Sequence, residues 1–201
     1  CIRDRVCGGR EHRCDEVISC ADGHTTLFDM LGGKYLSPAQ RSAYETWPLF
    51  PSLIYVSLGI ARDLSALPHM SVFPLREPIV LEEGALTLKL LGLRLFTFDP
   101  SMAPAGKTAG IVMIESRGLE YWKALRDNEP QRYQEEKRRI GERVVQAVEA
   151  EYGGIREHVE VVDVATPATW QRYTGNWQGS YEGFLPTRRT MMRNLGFTVP
   201  G

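Results

Sequence analysis

Between Ala85 and Phe98 the chain reads ALTLKLLGLRLFTF, with leucine recurring at every second position on either side of a single break. A period of two sends alternate side chains to opposite faces of an extended chain, so this stretch demands a sheet. Leu86, Leu88 and Leu90 share one face, and Leu91, Leu93 and Leu95 the other. The parity changes at Leu90-Leu91-Gly92, and a bulge or break is predicted there. Leu53 to Ile60 (LIYVSLGI), Ala109 to Glu115 (AGIVMIE) and Val159 to Val164 are further strand-like runs, and Ile79 to Leu81 adds a short edge. Strands separated by turns argue for an α+β fold, a mostly antiparallel sheet with helices packed on one side.

The longest helix is bounded by Asp127 or Asn128 as its cap, Pro130 in its first turn and Gly153-Gly154 at its end. Ile140, Val144, Val148 and Tyr152, with Val145 beside them, form an apolar stripe, while Glu135, Glu136, Lys137, Arg138 and Arg139 face water. Acids and bases alternate in that run, which suits a solvated face with i,i+4 pairs and not a nucleic-acid patch. Ser37-Pro38 opens a helix through Thr46. After the Val159 strand, Thr166 caps a short helix from Ala168 to Tyr173, with Pro167 at its first position, and Thr174-Gly175 ends it. Gly179, Ser180, Gly183 and Pro186 write a loop. Near the start, Val6 to Asp22 reads as a hairpin that turns through Gly8 to Arg13 and returns along a short buried strand, Glu16 to Cys20.

Composition excludes several classes of function. Hydrophobic residues make up 43% of the 201 and charged residues 24%, an ordinary globular balance. The net charge of −1 gives no global attraction to nucleic acid or an acidic membrane. No apolar run reaches the roughly 18 residues of a membrane helix, though a peripheral membrane contact needs only a patch. All four cysteines fall within the first twenty residues, without the C-x2-4-C pairs of structural zinc, and they read as reduced thiols of an intracellular protein, with no metal site. Gly32-Gly33-Lys34 lacks the Ser/Thr of a phosphate loop, and Gly106-Lys107-Thr108 leads into a strand where a phosphate loop needs a helix. The four histidines are scattered, and Cys20, Asp22 and His24 are local neighbours whereas thiol triads are assembled from distant segments. No acid–base set stands out, so no catalytic residue is assigned.

Three stretches carry a resemblance: DEVISCADGHTT (Asp15 to Thr26), DPSMAPAGK (Asp99 to Lys107) and TPATWQRYTGNWQGSYEG (Thr166 to Gly183). In this order they resemble segments of the phytoene-desaturase-like flavoproteins, the FAD-dependent family of carotenoid desaturases, carotenoid isomerases and retinol saturase. Family members run to roughly twice this length or more and open with a strand–GxGxxG–helix that holds the FAD pyrophosphate, and no GxGxxG occurs here. The resemblance therefore implies an internal piece of a larger enzyme, whose partner is the rest of its own FAD domain. It divides the chain into a remnant of the FAD domain (1–26), a connector (27–50), a substrate domain (51–175) and a return segment (176–201).

On that resemblance the cofactor does the hydride chemistry and protein binds and orients, and the expected ligand is a hydrophobic, isoprenoid or carotenoid-like molecule altered at carbon–carbon bonds. Ala21, Asp22, Gly179 and Gly183 are the expected FAD-proximal residues, although Asp22-Gly23 also reads as a plain turn. A polyene offers few hydrogen-bonding groups, so its site must be apolar area, at about 25 cal/mol per Å². Phe96, Phe98, Met113, Trp170, Tyr173, Trp177 and Tyr181 are the candidate substrate-binding residues, each of which could equally fill a core. The alternative is a non-catalytic module that binds a lipid or polyene.

Overall fold

The computed structural model describes residues 4–7, 10–13 and 15–191. The strands are β1 (Asp4–Cys7), β2 (Arg10–Arg13), β3 (Ser52–Ile60), β4 (Met70–Leu81), β5 (Leu86–Leu95), β6 (Thr108–Ser116) and β7 (Val159–Ala165). The helices are α1 (Pro38–Thr46), α2 (Leu119–Asn128), α3 (Pro130–Tyr152), α4 (Pro167–Thr174) and α5 (Arg188–Met191). Strands β1 and β2 form a separate hairpin, and the other five make one sheet in the order β4-β5-β6-β3-β7, antiparallel at every pairing. Helices cover one face of that sheet, so the fold is the α+β arrangement the strand pattern demands.

The covered face is the core. Ile54, Val56 and Leu58 of β3, Val112 and Ile114 of β6, and Leu91, Leu93 and Leu95 of β5 all point into it. From α3 the stripe Ile140, Val144, Val145 and Val148 meets them, as the four-residue spacing requires. Each fully buried aliphatic side chain contributes about 1.5–3 kcal/mol. Gly141 lets α3 approach β7 closely, because a Cβ there would lie 2.7 Å from a methyl of Val162.

The leucine ladder solves its parity problem in an unexpected strand. Leu86 and Leu88 face the same covered side as Leu91, Leu93 and Leu95, while Lys89 and Leu90 both turn outward. The irregularity that permits this lies in β4, where Leu75 to Pro78 intervene between the pairs Pro74↔Leu90 and Ile79↔Leu88. Pro74 and Pro78 have no N–H to give a ladder, so the extra length falls on β4. The predicted edge Ile79 to Leu81 is the last part of this longer edge strand.

Two local expectations change. Glu16 to Cys20 is exposed and lies outside the strands, with Ile18 88% exposed, and the hairpin is the tighter pairing of β1 with β2. Val17 and Ile18 favour a strand, but among the described residues no neighbouring strand pairs with them, and propensity alone does not make a sheet. Asp127 and Asn128 finish α2, a helix the sequence reading left out, and α3 starts from Glu129 with no side-chain cap and Pro130 at its first position. Trp122 and Leu125 bury one side of α2. The other boundaries hold: Ser37 and Gln40 form a reciprocal cap on α1, Thr166 caps α4, and left-handed Gly175 ends it.

Candidate functional site

The sheet face opposite the helices is uncovered among the described residues, and its register can be read in rows. One row runs Asp163, Ser57, Ile111, Arg94 and Met70 from β7 to β4. The row beside it holds Ala165, Tyr55 and Met113 on β7, β3 and β6, and Val72 paired to Gly92 on β4 and β5. Leu90 and Val161 lie on the same side. Met70, Val72, Leu90, Met113 and Val161 are between 43% and 62% exposed, which makes this an apolar floor that water wets. Small side chains at Ser57, Gly59 and Gly92 keep its middle low.

Helix α4 closes one end. Thr166 caps it, Ala168 turns into the core, and Trp170 comes edge-on to Tyr55 with ring centroids 6.0 Å apart. The Trp170 indole Nε1 is buried and has no acceptor among the described residues. Burial raises the Tyr55 phenol above its ordinary pKa, and the Arg94 guanidinium partly offsets this. The phenol therefore stays protonated and can donate.

At the same end of the sheet, where Pro51 leads into β3, two segments cross beside each other. Phe50 N donates to Gly183 O at 2.9 Å, Leu185 N to Pro48 O at 2.8 Å and Tyr181 N to Pro51 O at 3.1 Å. The His24 ring lies between Phe28 and Trp177, at 4.4 Å and 3.5 Å, with Tyr44 edge-on. Burial raises the Tyr44 phenol, and the Asp22 charge pushes it the same way. Asp22 Oδ1 accepts from His24 N at 2.9 Å and Thr25 N at 3.2 Å, starting a π-helical turn at Thr25–Met30.

The proposed site residues thus separate into groups. Met113 and Trp170 meet at the open face through Tyr55, and Phe96, bonded to Ala109 through its N–H, borders it. Trp177, Tyr181, Ala21, Asp22, Gly179 and Gly183 belong to the crossing. Phe98, packed on Phe96 and His69, and Tyr173, under Arg172, are 66% and 78% exposed on the outside. The sequence reading missed Tyr55, Met70, Val72, Leu90 and Arg94. The alternation Tyr55-Ser57-Gly59 within LIYVSLGI is the signal that could have found the face.

The fit to FAD is uneven. Around Gly183 a Cβ would meet nothing within 4 Å, and Ala21 is exposed, so both leave room for a ring edge. Trp177 adds a buried Nε1–H that lacks an acceptor among the described residues. By contrast the space at Gly179 is already used by Ser52 Oγ and a Leu119 methyl, and the Asp22 carboxylate is engaged as a cap. These residues fit the margin of such a cofactor, with no cradle for its pyrophosphate.

The fold is an antiparallel sheet with helices on one side and, on the other, an exposed face that carries apolar side chains beside Asp163 and Arg94. No family model matches the chain. It is 24% identical over 189 residues to prolycopene isomerase 1 and to prolycopene isomerase 2, chloroplastic proteins of an Oncidium hybrid cultivar, across 92% of its own length. That alignment covers 31% of each relative, so the chain spans about a third of the length of the curated relatives it matches.

Proposed function

We propose that these residues form the substrate-binding part of an FAD-dependent oxidoreductase of the phytoene-desaturase type, acting on carbon–carbon bonds of an isoprenoid or carotenoid-like molecule. The observation that carries it is the uncovered apolar face formed by Met70, Val72, Leu90, Met113 and Val161. The similarity, over 92% of this chain, to two prolycopene isomerases supports the choice of a polyene over other lipids. FAD, bound by a larger protein, supplies the redox chemistry. Tyr55 and Trp170 bound the ligand at one end, the leucine and methionine side chains exclude water along it, and the crossing beside Gly183 admits the flavin margin.

Titrating a detergent-solubilised polyene into the 201-residue chain and reading tryptophan quenching tests this. Saturable binding is expected, weakened about tenfold by Met113→Glu or Leu90→Glu. Ile18→Glu, in an exposed stretch outside the sheet, should leave it unchanged. Equal loss in all three variants, or no saturation, rules the reading out. The isolated chain should hold FAD weakly, and stoichiometric flavin on it would overturn that expectation. A second reading, a non-catalytic polyene carrier, is favoured by the closed core that these residues already build. It predicts the same polyene binding with no flavin in the longest natural polypeptide that contains them.

A further inference from the structure

Arg94 stands inside the apolar part of the uncovered face. It pairs with Met70 on β4 and with Ile111 on β6, and Gly92 precedes it on the same side of β5. Its guanidinium makes no ion pair or hydrogen bond among the described residues. The carboxylates that share this face by strand parity are distant. Asp163 is three strands away in the same row, and Glu115 is four residues beyond Ile111 on β6. Strand spacing and rise put each about 14 Å from Arg94 at the backbone. Glu160, at the β7 edge, is held by Lys107 at 2.6 Å.

Tyr55 reaches toward the same place. It pairs with Met113, two residues from Ile111, so Tyr55 and Arg94 flank β6 diagonally, one strand to either side. Their Cα atoms are then about 12 Å apart, a gap that two long side chains on one face span together. Ile111 lies between them on the uncovered side and is only 8% exposed, so side chains stand over it in place of water. Burial keeps the Tyr55 phenol protonated, against a smaller opposing effect of the Arg94 charge. The Tyr55 hydroxyl has no partner among the described residues, so phenol and guanidinium are both free to donate. A hydrocarbon laid over them gives these donors nothing to bond and strips water from a charge, which is costly. A carboxylate offers two oxygens to the guanidinium fork and a further lone pair to the phenol.

We propose that the uncovered face takes an apolar chain that ends in a carboxylate, held by Arg94 and Tyr55 above Ile111, with the chain lying over Gly92 and Val72 toward Leu90. The inference rests on reading that face as the ligand site. It narrows the ligand from polyenes in general to polyene acids. The fixed carboxylate also sets the direction in which the chain lies, because the rest of the strip is apolar.

Parinaric acid, a conjugated tetraene, and its methyl ester differ only at the carboxyl group, and both report binding through energy transfer from tryptophan. The acid is expected to bind the 201-residue chain about tenfold more tightly than the ester, and added salt should narrow the gap. Arg94→Met keeps an unbranched apolar stem without the charge. It should remove the preference and leave ester binding within about twofold. Tyr55→Phe should weaken binding of the acid about threefold. The comparison of acid with ester on the unaltered chain needs no variant, so it decides even where a variant misfolds. Saturable binding of both, with the ester as tight as the acid or tighter, overturns this inference and leaves the polyene reading standing. Binding of neither overturns both. A preference for the acid that survives Arg94→Met also overturns it, because another cation then holds the carboxylate.

Discussion

His24 and Trp177 lie face to face, their ring centroids 3.5 Å apart and their planes within 3° of parallel. The contact joins the segment that precedes the sheet to the segment that follows it. With the paired backbones of 48–51 and 181–185, it sets where the Gly183 crossing sits relative to the open face. An aromatic pair contributes about 0.5–1.5 kcal/mol beyond its buried area. Trp177→Ala should therefore lower Tm by a few degrees and speed proteolytic cleavage between His24 and Trp47, whereas Trp177→Phe should keep most of the protection. Unchanged cleavage in Trp177→Ala would mean that the backbone pairing alone holds the crossing.

Glu82 is 7% exposed at a left-handed backbone position, and its carboxylate accepts from the Ser116 hydroxyl and from Trp122 Nε1 at 2.7 Å. It ties the β4–β5 turn to the start of α2. Glu82→Ala strands two buried donors and should cost about 2–4 kcal/mol in urea unfolding. Gly118→Ala should also destabilise, because its Cβ would fall 2.5 Å from the Glu82 carboxyl carbon. A loss under 0.5 kcal/mol in Glu82→Ala would show that water replaces the carboxylate there.

These two relationships mark the limit of what the sequence makes legible. Strand periods, the Thr166-Pro167 start of α4 and the Ile140 stripe are local patterns, and local sterics enforce them. The open face is visible only in part, since Tyr55 and Met113 alternate on their own strands but nothing local says which face the helices take. Strand β4 is hidden by Pro74 and Pro78, which argue against a strand unless it lies at an edge. The Glu82–Trp122 and His24–Trp177 contacts join residues far apart in the chain, and no spacing rule brings them together. The expected roles of Phe98 and Tyr173 rested on residue type alone, and the fold leaves both on the outside.

The end of α3 carries a pH-sensitive clamp. The Glu149 carboxylate accepts from Gly154 N, Ile155 N and Arg156 N at 2.7–2.9 Å, and these bonds, that from Arg156 foremost, hold it below its ordinary value of 4.5. A carboxyl with a lowered folded pKa stabilises the fold above its unfolded value and loses that contribution as pH falls through the folded one. Tm should hold steady above pH 4.5 and decline below it, and Glu149→Gln should start lower and show a shallower decline. Parallel curves for the two proteins would show that the clamp has no share in acid unfolding.

Gly141 and Val162 set the gap between α3 and β7. Alanine is the better helix former by about 1 kcal/mol, so propensity alone makes Gly141→Ala stabilising. Packing argues the reverse, because the added Cβ would stand 2.7 Å from Val162 Cγ1 and 3.5 Å from a Val164 methyl. Relieving such overlap in a packed core costs about 1–3 kcal/mol, so the net effect should be a loss. Val162 is 42% exposed, so Val162→Ala alone should cost little, and added to Gly141→Ala it should restore stability. A coupling energy of about 1 kcal/mol in this double-mutant cycle would place the close approach at this pair. Additive losses would show that α3 shifts as a body.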